Sequence, residues 1–233
     1  MNGASCKQTY PYHHLENYHK FYYLYNRYCG KFIGNFLEDL VVLSGTVFGE
    51  ILVWSAEANQ EKQQLFHRLS GHNVLSFILV LIKTFPTTHF KLQGVIFSVN
   101  FDETTSTIIS TSDDRSIRTW KMSSKTNNQE KSTLVNLFLQ SEICAQHELY
   151  GHEARVWNST IIRNSVMDSG QLVSLGEDSR ICLWDLESGQ LNLKFEAHPG
   201  ASVWSSSWSN YHRLLVNQSI HLIQSNLLLR MKV

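Results

Sequence analysis

Two groups of residues in this sequence contain the three side-chain types that acyl transfer requires. His72, Ser110 and Asp114 form one group; His152, Ser174 and Asp178 form the other. A serine hydroxyl becomes a nucleophile when a histidine takes its proton and a carboxylate orients that histidine. An enzyme needs one such site, whereas here the serine and aspartate recur at the same spacing. Neither copy sits in a G-x-S-x-G elbow, the turn that presents a serine nucleophile in many hydrolases. His13, His14 and His19, set among tyrosines, have the residue type of a metal site, but a solvated tail explains them better. Phosphate-binding glycine loops, dinucleotide fingerprints and paired cysteines are missing from the sequence.

The repetition extends to the elements that would position these side chains. Residues 110–120 (STSDDRSIRTW) and 174–184 (SLGEDSRICLW) align without a gap, with Ser ten, Asp six and Ile three residues before Trp. An Asp-led tight turn between alternating apolar runs predicts a β-hairpin. A weaker copy, residues 44–54 (SGTVFGEILVW), has Phe48 at the aspartate position. Gly71-His72, Gly151-His152 and Ala197-His198 precede short runs containing Phe97, Trp157 and Trp204. Recurrence of one unit along a chain indicates a repeat architecture.

Gly-His, strand, Ser-ended strand, Asp turn and Trp-ended strand together resemble the WD-repeat family, whose repeats are four-stranded propeller blades. The resemblance implies an all-β fold, a partial propeller of about three to four blades forming an open arc with unpaired edges. It also implies that His72, Ser110, Asp114 and Trp120, and likewise His152, Ser174, Asp178 and Trp184, form buried hydrogen-bond networks, with His198 opening a further unit. With Phe48 at the turn, the first unit should lack such a network, and its turn is expected to be held by packing alone. Phe97, Trp157 and Trp204 alternate with Ser or Thr and are expected to be inner-strand core residues.

Composition is that of an ordinary globular domain, with 42% hydrophobic and 17% charged residues. Twenty basic and twenty acidic residues cancel, which removes any bulk electrostatic argument for nucleic acid. Four unpaired-looking cysteines suit a reducing, cytoplasmic setting. The longest apolar run, residues 74–82, is too short to span a bilayer, and no membrane partner is expected.

Three segments depart from the repeat. Residues 1–38 hold seven of the nine tyrosines and read as an atypical, disordered N-terminal segment. The blades are expected over residues 39–215, with 74–93 as an atypical insertion. Phe97 lies 25 residues after His72, whereas Trp157 lies five after His152. Removing the 20 residues 74–93 restores five and shortens the Trp54–Trp120 interval from 66 to 46, near the usual period of about 40–45. Valine codons begin with GT and glutamine can be CAG, so 74–93 reads as an intron retained in frame. Transcript sequencing across the codons for Asn73 and Gly94 tests this hypothesis, and spliced reads that keep the segment refute it. Residues 216–233 lack an Asp turn and a Trp and read as an atypical tail. Residues 121–131 read as a polar inter-blade loop, and the apolar run 134–139 as the outer strand of a blade.

Wording inside the repeats, GHEARVWNSTII (151–162), LVSLGEDSRICLWDLESG (172–189) and AHPGASVWSSSW (197–208), resembles the WD-repeat protein six family. Members are regulatory subunits of the tRNA 2′-O-ribose methyltransferase acting on wobble nucleotide 34. The resemblance implies a non-catalytic role, no cofactor on this chain, and an FtsJ-like partner that binds S-adenosylmethionine, with tRNA as a further partner. Arg115, Arg155 and Arg180, in or beside the Gly-His and Asp-turn loops, are the candidate partner or RNA surface. A general protein-interaction scaffold in signalling or trafficking is the alternative.

Overall fold

In a computed structural model of the chain, the described residues are 27–35, 39–55, 65–72, 94–124, 133–163, 170–209, 214–219 and 227–230. The readings made above for residues 74–93 and for His13, His14 and His19 lie outside them. The described residues form four antiparallel sheets in which each strand pairs with the next in sequence. Sheet one contains β1 (Arg27–Ile33), β2 (Val41–Thr46), β3 (Glu50–Ser55) and β4 (Leu65–Ser70). Sheet two contains β5 (Ile96–Asp102), β6 (Thr107–Ser112), β7 (Ser116–Ser124) and β8 (Ser141–Tyr150). Sheet three contains β9 (Val156–Ile162), β10 (Gln171–Gly176), β11 (Arg180–Asp185) and β12 (Leu191–Glu196). Sheet four contains β13 (Val203–Ser209), β14 (Leu214–Ser219) and β15 (Leu227–Arg230).

These are consecutive blades of a partial propeller. The inner strand of the first sheet, β1, lies within the segment expected to be atypical, and β14 and β15 reach into the expected tail. The sheets stand side by side through their first strands: β1 neighbours β5, β5 neighbours β9, and β9 neighbours β13. Their cores lie between sheets. Ile108 of β6 packs with Leu43 and Ile51 of sheet one, whereas the adjacent Ile109 packs with Val156 and Leu172 of sheet three. Side chains alternate faces along a strand, so the middle blades bury both. All six residues of β6 are buried, which explains why its sequence reads as a near-continuous run rather than an alternation.

Two irregularities recur and carry the site. The tight turn between second and third strands places Gly49, Arg115 and Ser179 at φ 71°, 68° and 65°, each two residues before the strand isoleucine. The left-handed region suits glycine best, and at the other two turns an aspartate side chain compensates. Register also slips beside each third-strand tryptophan, at Val53/Trp54, Thr119/Trp120 and Leu183/Trp184.

Two elements differ from the sequence reading: residues 121–124, read as part of a loop, continue β7, and a helix stands where an outer strand was expected. Residues 134–139 do not form the outer strand; Leu134–Gln140 is a helix (α1), and the outer strand of sheet two is β8 immediately after it. A short apolar run is ambiguous between strand and helix by pattern alone. Here Thr133 caps the helix by accepting the Asn136 N–H at 3.3 Å, and the Ser141 hydroxyl donates to the Leu137 carbonyl at 2.5 Å. The fully buried Phe138 packs into the core between sheets one and two, its ring tilted against Phe101 with centroids 5.4 Å apart. His67 of β4 bonds the Phe138 carbonyl at 2.6 Å, and the Asp39 carboxylate accepts the Val135 N–H at 3.1 Å.

Candidate functional site

The tight turns, the connections entering each sheet and the starts of the inner strands all lie at one end of the blades. Ile96 pairs with Ser112 and Val156 with Gly176, which puts strand starts beside the turns. At this end His72, Ser110, Asp114 and Trp120 meet. His72 Nδ1 lies 2.9 Å from Asp114 Oδ2 and its Nε2 lies 2.7 Å from Ser110 Oγ, while the Trp120 indole donates to the same Oγ at 3.2 Å. In sheet three His152 Nδ1 lies 3.0 Å from Asp178, its Nε2 lies 2.8 Å from Ser174 Oγ, and the Trp184 indole donates to Ser174 at 2.8 Å. A neutral ring with its proton on Nδ1 satisfies every partner, and we assign that tautomer from the bonding. The direction of donation is then Trp to Ser, Ser to His, and His to Asp.

Each histidine sits in the connection arriving from the previous sheet, so the network ties that connection to the second and third strands of the next. The glycine before each histidine has a steric reason. A Cβ on Gly151 would come within 2.7 Å of the Trp184 ring, and one on Gly71 within 3.0 Å of the Trp120 ring. His198 is buried in the corresponding connection to sheet four, where its carbonyl accepts the Ala201 N–H at 2.9 Å.

Ser110 and Ser174 have the distances of a nucleophile and its base, yet both are 0% exposed and an indole N–H occupies each hydroxyl oxygen. A substrate carbonyl would have to displace a buried tryptophan to reach them. Burial pushes the carboxyls of Asp114 and Asp178 up, and the hydrogen bonds donated by His72 and His152, joined by those from Ser116 and from the Glu153 and Arg180 amides, outweigh it, leaving both below the usual carboxylate range. Each carboxylate is taken up by hydrogen bonds to its histidine and to its turn.

Sheet one keeps half of the network, since the Trp54 indole donates to Ser44 at 3.0 Å. Its turn is not held by packing alone. The Thr46 hydroxyl accepts the N–H groups of Phe48 and Glu50 at 3.2 and 3.1 Å, doing the work of the absent aspartate. A threonine two residues before a turn was the available signal.

The three arginines differ. Arg155, half exposed, pairs with Asp113 of sheet two and lies 3.9 Å from Glu177. Arg180 pairs with Glu153, which also lies 3.2 Å from the Lys194 ammonium. Arg115 is exposed at the turn of sheet two. The positive charge of the first two is therefore matched locally by carboxylates.

Phe97, Trp157 and Trp204 are not core residues; the clusters between sheets take the preceding Ile96, Val156 and Val203 instead. The three rings contact one another across the sheets. Phe97 and Trp157 are tilted by 52° with centroids 4.5 Å apart, and Trp157 and Trp204 stack at 4.1 Å and 12°. Among the described residues no group of three or more His, Cys, Asp or Glu could hold a metal, and no helix is long and apolar enough to cross a membrane.

Comparison with known proteins identifies this arrangement. The family profile for the WD domain, G-beta repeat, matches residues 79–121, including the first three strands of sheet two apart from the end of β7. The chain is a WD-repeat protein. It is 30% identical over 200 residues to the tRNA (34-2′-O)-methyltransferase regulator WDR6 of Drosophila melanogaster, covering 82% of this chain and 17% of the relative. It is 26% identical over 174 residues to the human protein of that name, covering 73% of this chain and 12% of the relative. The resemblance of this WD-repeat chain to the WD-repeat protein six family thus holds over most of its residues, while it spans only 17% and 12% of those two relatives' lengths. Among solved structures, a computationally designed protein, Ika8, matches with a TM-score of 0.49 at 17% identity over 81% of this chain and 42% of that one.

Proposed function

We propose that this chain is a non-catalytic WD-repeat subunit supporting 2′-O-ribose methylation of the tRNA wobble nucleotide, position 34. The methyl transfer itself is assigned to an FtsJ-like, S-adenosylmethionine-dependent partner in the cytoplasm. The observation that carries this reading is similarity over 82% of the chain to a protein named as a regulator of that methyltransferase. The closed Ser–His–Asp networks support it, because the residue sets best suited to chemistry are used to brace strands. The blades then act as a surface that positions the partner or the tRNA, through the end where turns, connections and inner-strand starts converge.

The experiment is direct measurement of ribose methylation at position 34 in tRNAs from cells lacking the full-length gene. Methylation should fall at that position and return on complementation. Unchanged methylation refutes the reading and leaves a protein-interaction scaffold.

A further inference from the structure

The row of Phe97, Trp157 and Trp204 is carried on first-strand bulges, where the pairing passes from Ile96 to Ser98, from Val156 to Asn158 and from Val203 to Ser205. Beside it Ser98, Asn100 and Asn158 bond to one another and to the Ser159 carbonyl. Those polar groups are already occupied. The repeat offers a sharper comparison, because three sheets share one corner at the turn end. There the first residue of the third strand pairs with the last residue of the outer strand: Glu50 with Ser70, Ser116 with Tyr150, and Arg180 with Glu196.

In sheets one and three the two corner residues answer each other. The Ser70 hydroxyl donates to the Glu50 carboxylate at 3.3 Å, and the charge of Glu196 acts on Arg180. In sheet two the Ser116 hydroxyl is 2.7 Å from Asp114 and 3.1 Å from His72, and Tyr150 stands 63% exposed. The residue before each corner, at the left-handed turn position, is Gly49, Arg115 or Ser179. Such a backbone strains any side chain that glycine would spare. Only Arg115 brings a long side chain there, and it is exposed and makes no ion pair among the described residues. Bracing explains the corners of sheets one and three and leaves that of sheet two unexplained.

Tyr150 is also held in place. Its hydroxyl donates to Glu148, and the mostly buried Arg118 pairs with the same carboxylate oxygen. Arg118 in turn lies against the connection entering sheet two, where a Cβ on Gly71 would come within 2.9 Å of its guanidinium. The bond to Glu148 pushes the Tyr150 phenol up to about 12, which keeps it a neutral donor. An exposed ring oriented beforehand loses little freedom on binding.

We propose that Tyr150 and Arg115 are the anchors of a protein-docking surface, occupied by the methyltransferase subunit that this chain serves. The inference rests on the reading above that such a subunit exists. Tyrosine and arginine are the residue types that dominate binding energy at protein interfaces. Local charge disfavours RNA at this corner. Glu148 and Glu153 are exposed on either side of Tyr150 in the chain, and carboxylates repel phosphates. The complementary surface offers a carboxylate to Arg115 and an apolar group to the Tyr150 ring.

The test is binding of the full-length protein to the purified catalytic subunit of the tRNA 34-2′-O-methyltransferase, measured by biolayer interferometry. A synthetic anticodon stem-loop RNA is the second probe. Tyr150→Ala should weaken binding to the methyltransferase by about 30-fold, the effect of losing a hot-spot side chain. Tyr150→Phe keeps the ring without its tether and should fall between Tyr150→Ala and wild type. Arg115→Ala should weaken binding about tenfold and lessen its dependence on salt. Ser70→Ala and Glu196→Ala, at the same corner of the other sheets, should bind as the wild type does. Thermal melting of each variant checks that the fold is kept. Wild-type binding that neither Tyr150→Ala nor Arg115→Ala weakens overturns this inference alone, as does equal weakening by the Ser70 and Glu196 variants. Loss of stem-loop binding with the methyltransferase contact intact assigns the corner to RNA and overturns it too. A wild type that does not bind the methyltransferase overturns both this inference and the reading beneath it.

Discussion

Replacing Asp178 with alanine should cost the chain about 3 kcal/mol of stability without removing any bond-making activity. The carboxylate accepts from His152 Nδ1 at 3.0 Å and from the backbone N–H groups of Glu153 and Arg180 at 2.8 and 3.2 Å. Glu153 is exposed, so water can replace the carboxylate at its N–H. The His152 side chain is 0% exposed, and its Nδ1–H would be left with no acceptor. A bond to a charged group contributes about 1.5–3 kcal/mol, and an orphaned buried donor costs about 1–3 kcal/mol. Weakening of His152 would also loosen Ser174 and Trp184, because the network acts as a unit. For a chain of this size about 3 kcal/mol corresponds to a fall in Tm of roughly 6–12 °C. Urea denaturation and thermal melting followed by circular dichroism measure it. Phe48→Ala, at the equivalent turn of sheet one, should change stability far less. A loss below about 0.5 kcal/mol for Asp178→Ala, the ordinary range for surface changes, would refute the bracing role.

Further outcomes follow from the same geometry. Thr46→Val should orphan the Phe48 and Glu50 amides and lower stability by about 1 kcal/mol, seen as a lower urea midpoint with an unchanged slope. Gly151→Ala should destabilise because its Cβ meets the Trp184 ring, and combining it with Trp184→Phe should restore part of the loss in a double-mutant cycle. Asp102, Asp114 and Asp178 all titrate below their usual range: burial pushes each up, and Arg163 with Thr105, or the histidine partners, outweigh it. A depressed folded value means that their contribution is present above the unfolded value of about 3.9 and lost as pH falls through the lower folded value. Acid titration followed by near-ultraviolet circular dichroism should show unfolding below about pH 4, and Asp178→Ala should flatten that branch.

Blade architecture was legible because its determinants are local. A strand, a tight turn and a strand place Ser174, Asp178 and Trp184 within eleven residues, and their spacing survives whatever surrounds it. Features set by distant partners were not legible. Arg155 is a candidate partner or RNA contact by its place beside a Gly-His loop, and nothing nearby in the sequence announces its pairing with Asp113, 42 residues earlier. The run 134–139 was read as a strand, and its helical state depends on a cap and on docking against residues of sheet one. The aromatic row was read as core since Phe97, Trp157 and Trp204 follow strand spacing. A bulge adds one residue to a strand, which shifts facing by one position, and nothing in residue type marks it beforehand.

Helix α1 belongs covalently to sheet two, yet two long-range polar bonds of its backbone reach back to sheet one: His67 lies 71 positions before Phe138, and Asp39 lies 96 before Val135. It works as a clasp reaching backwards over the seam between two blades. Damage inside 134–140 would consequently surface as fraying of β4 and of the stretch around Asp39, far upstream of the altered codon. A genetic lesion there would mimic one in the first blade.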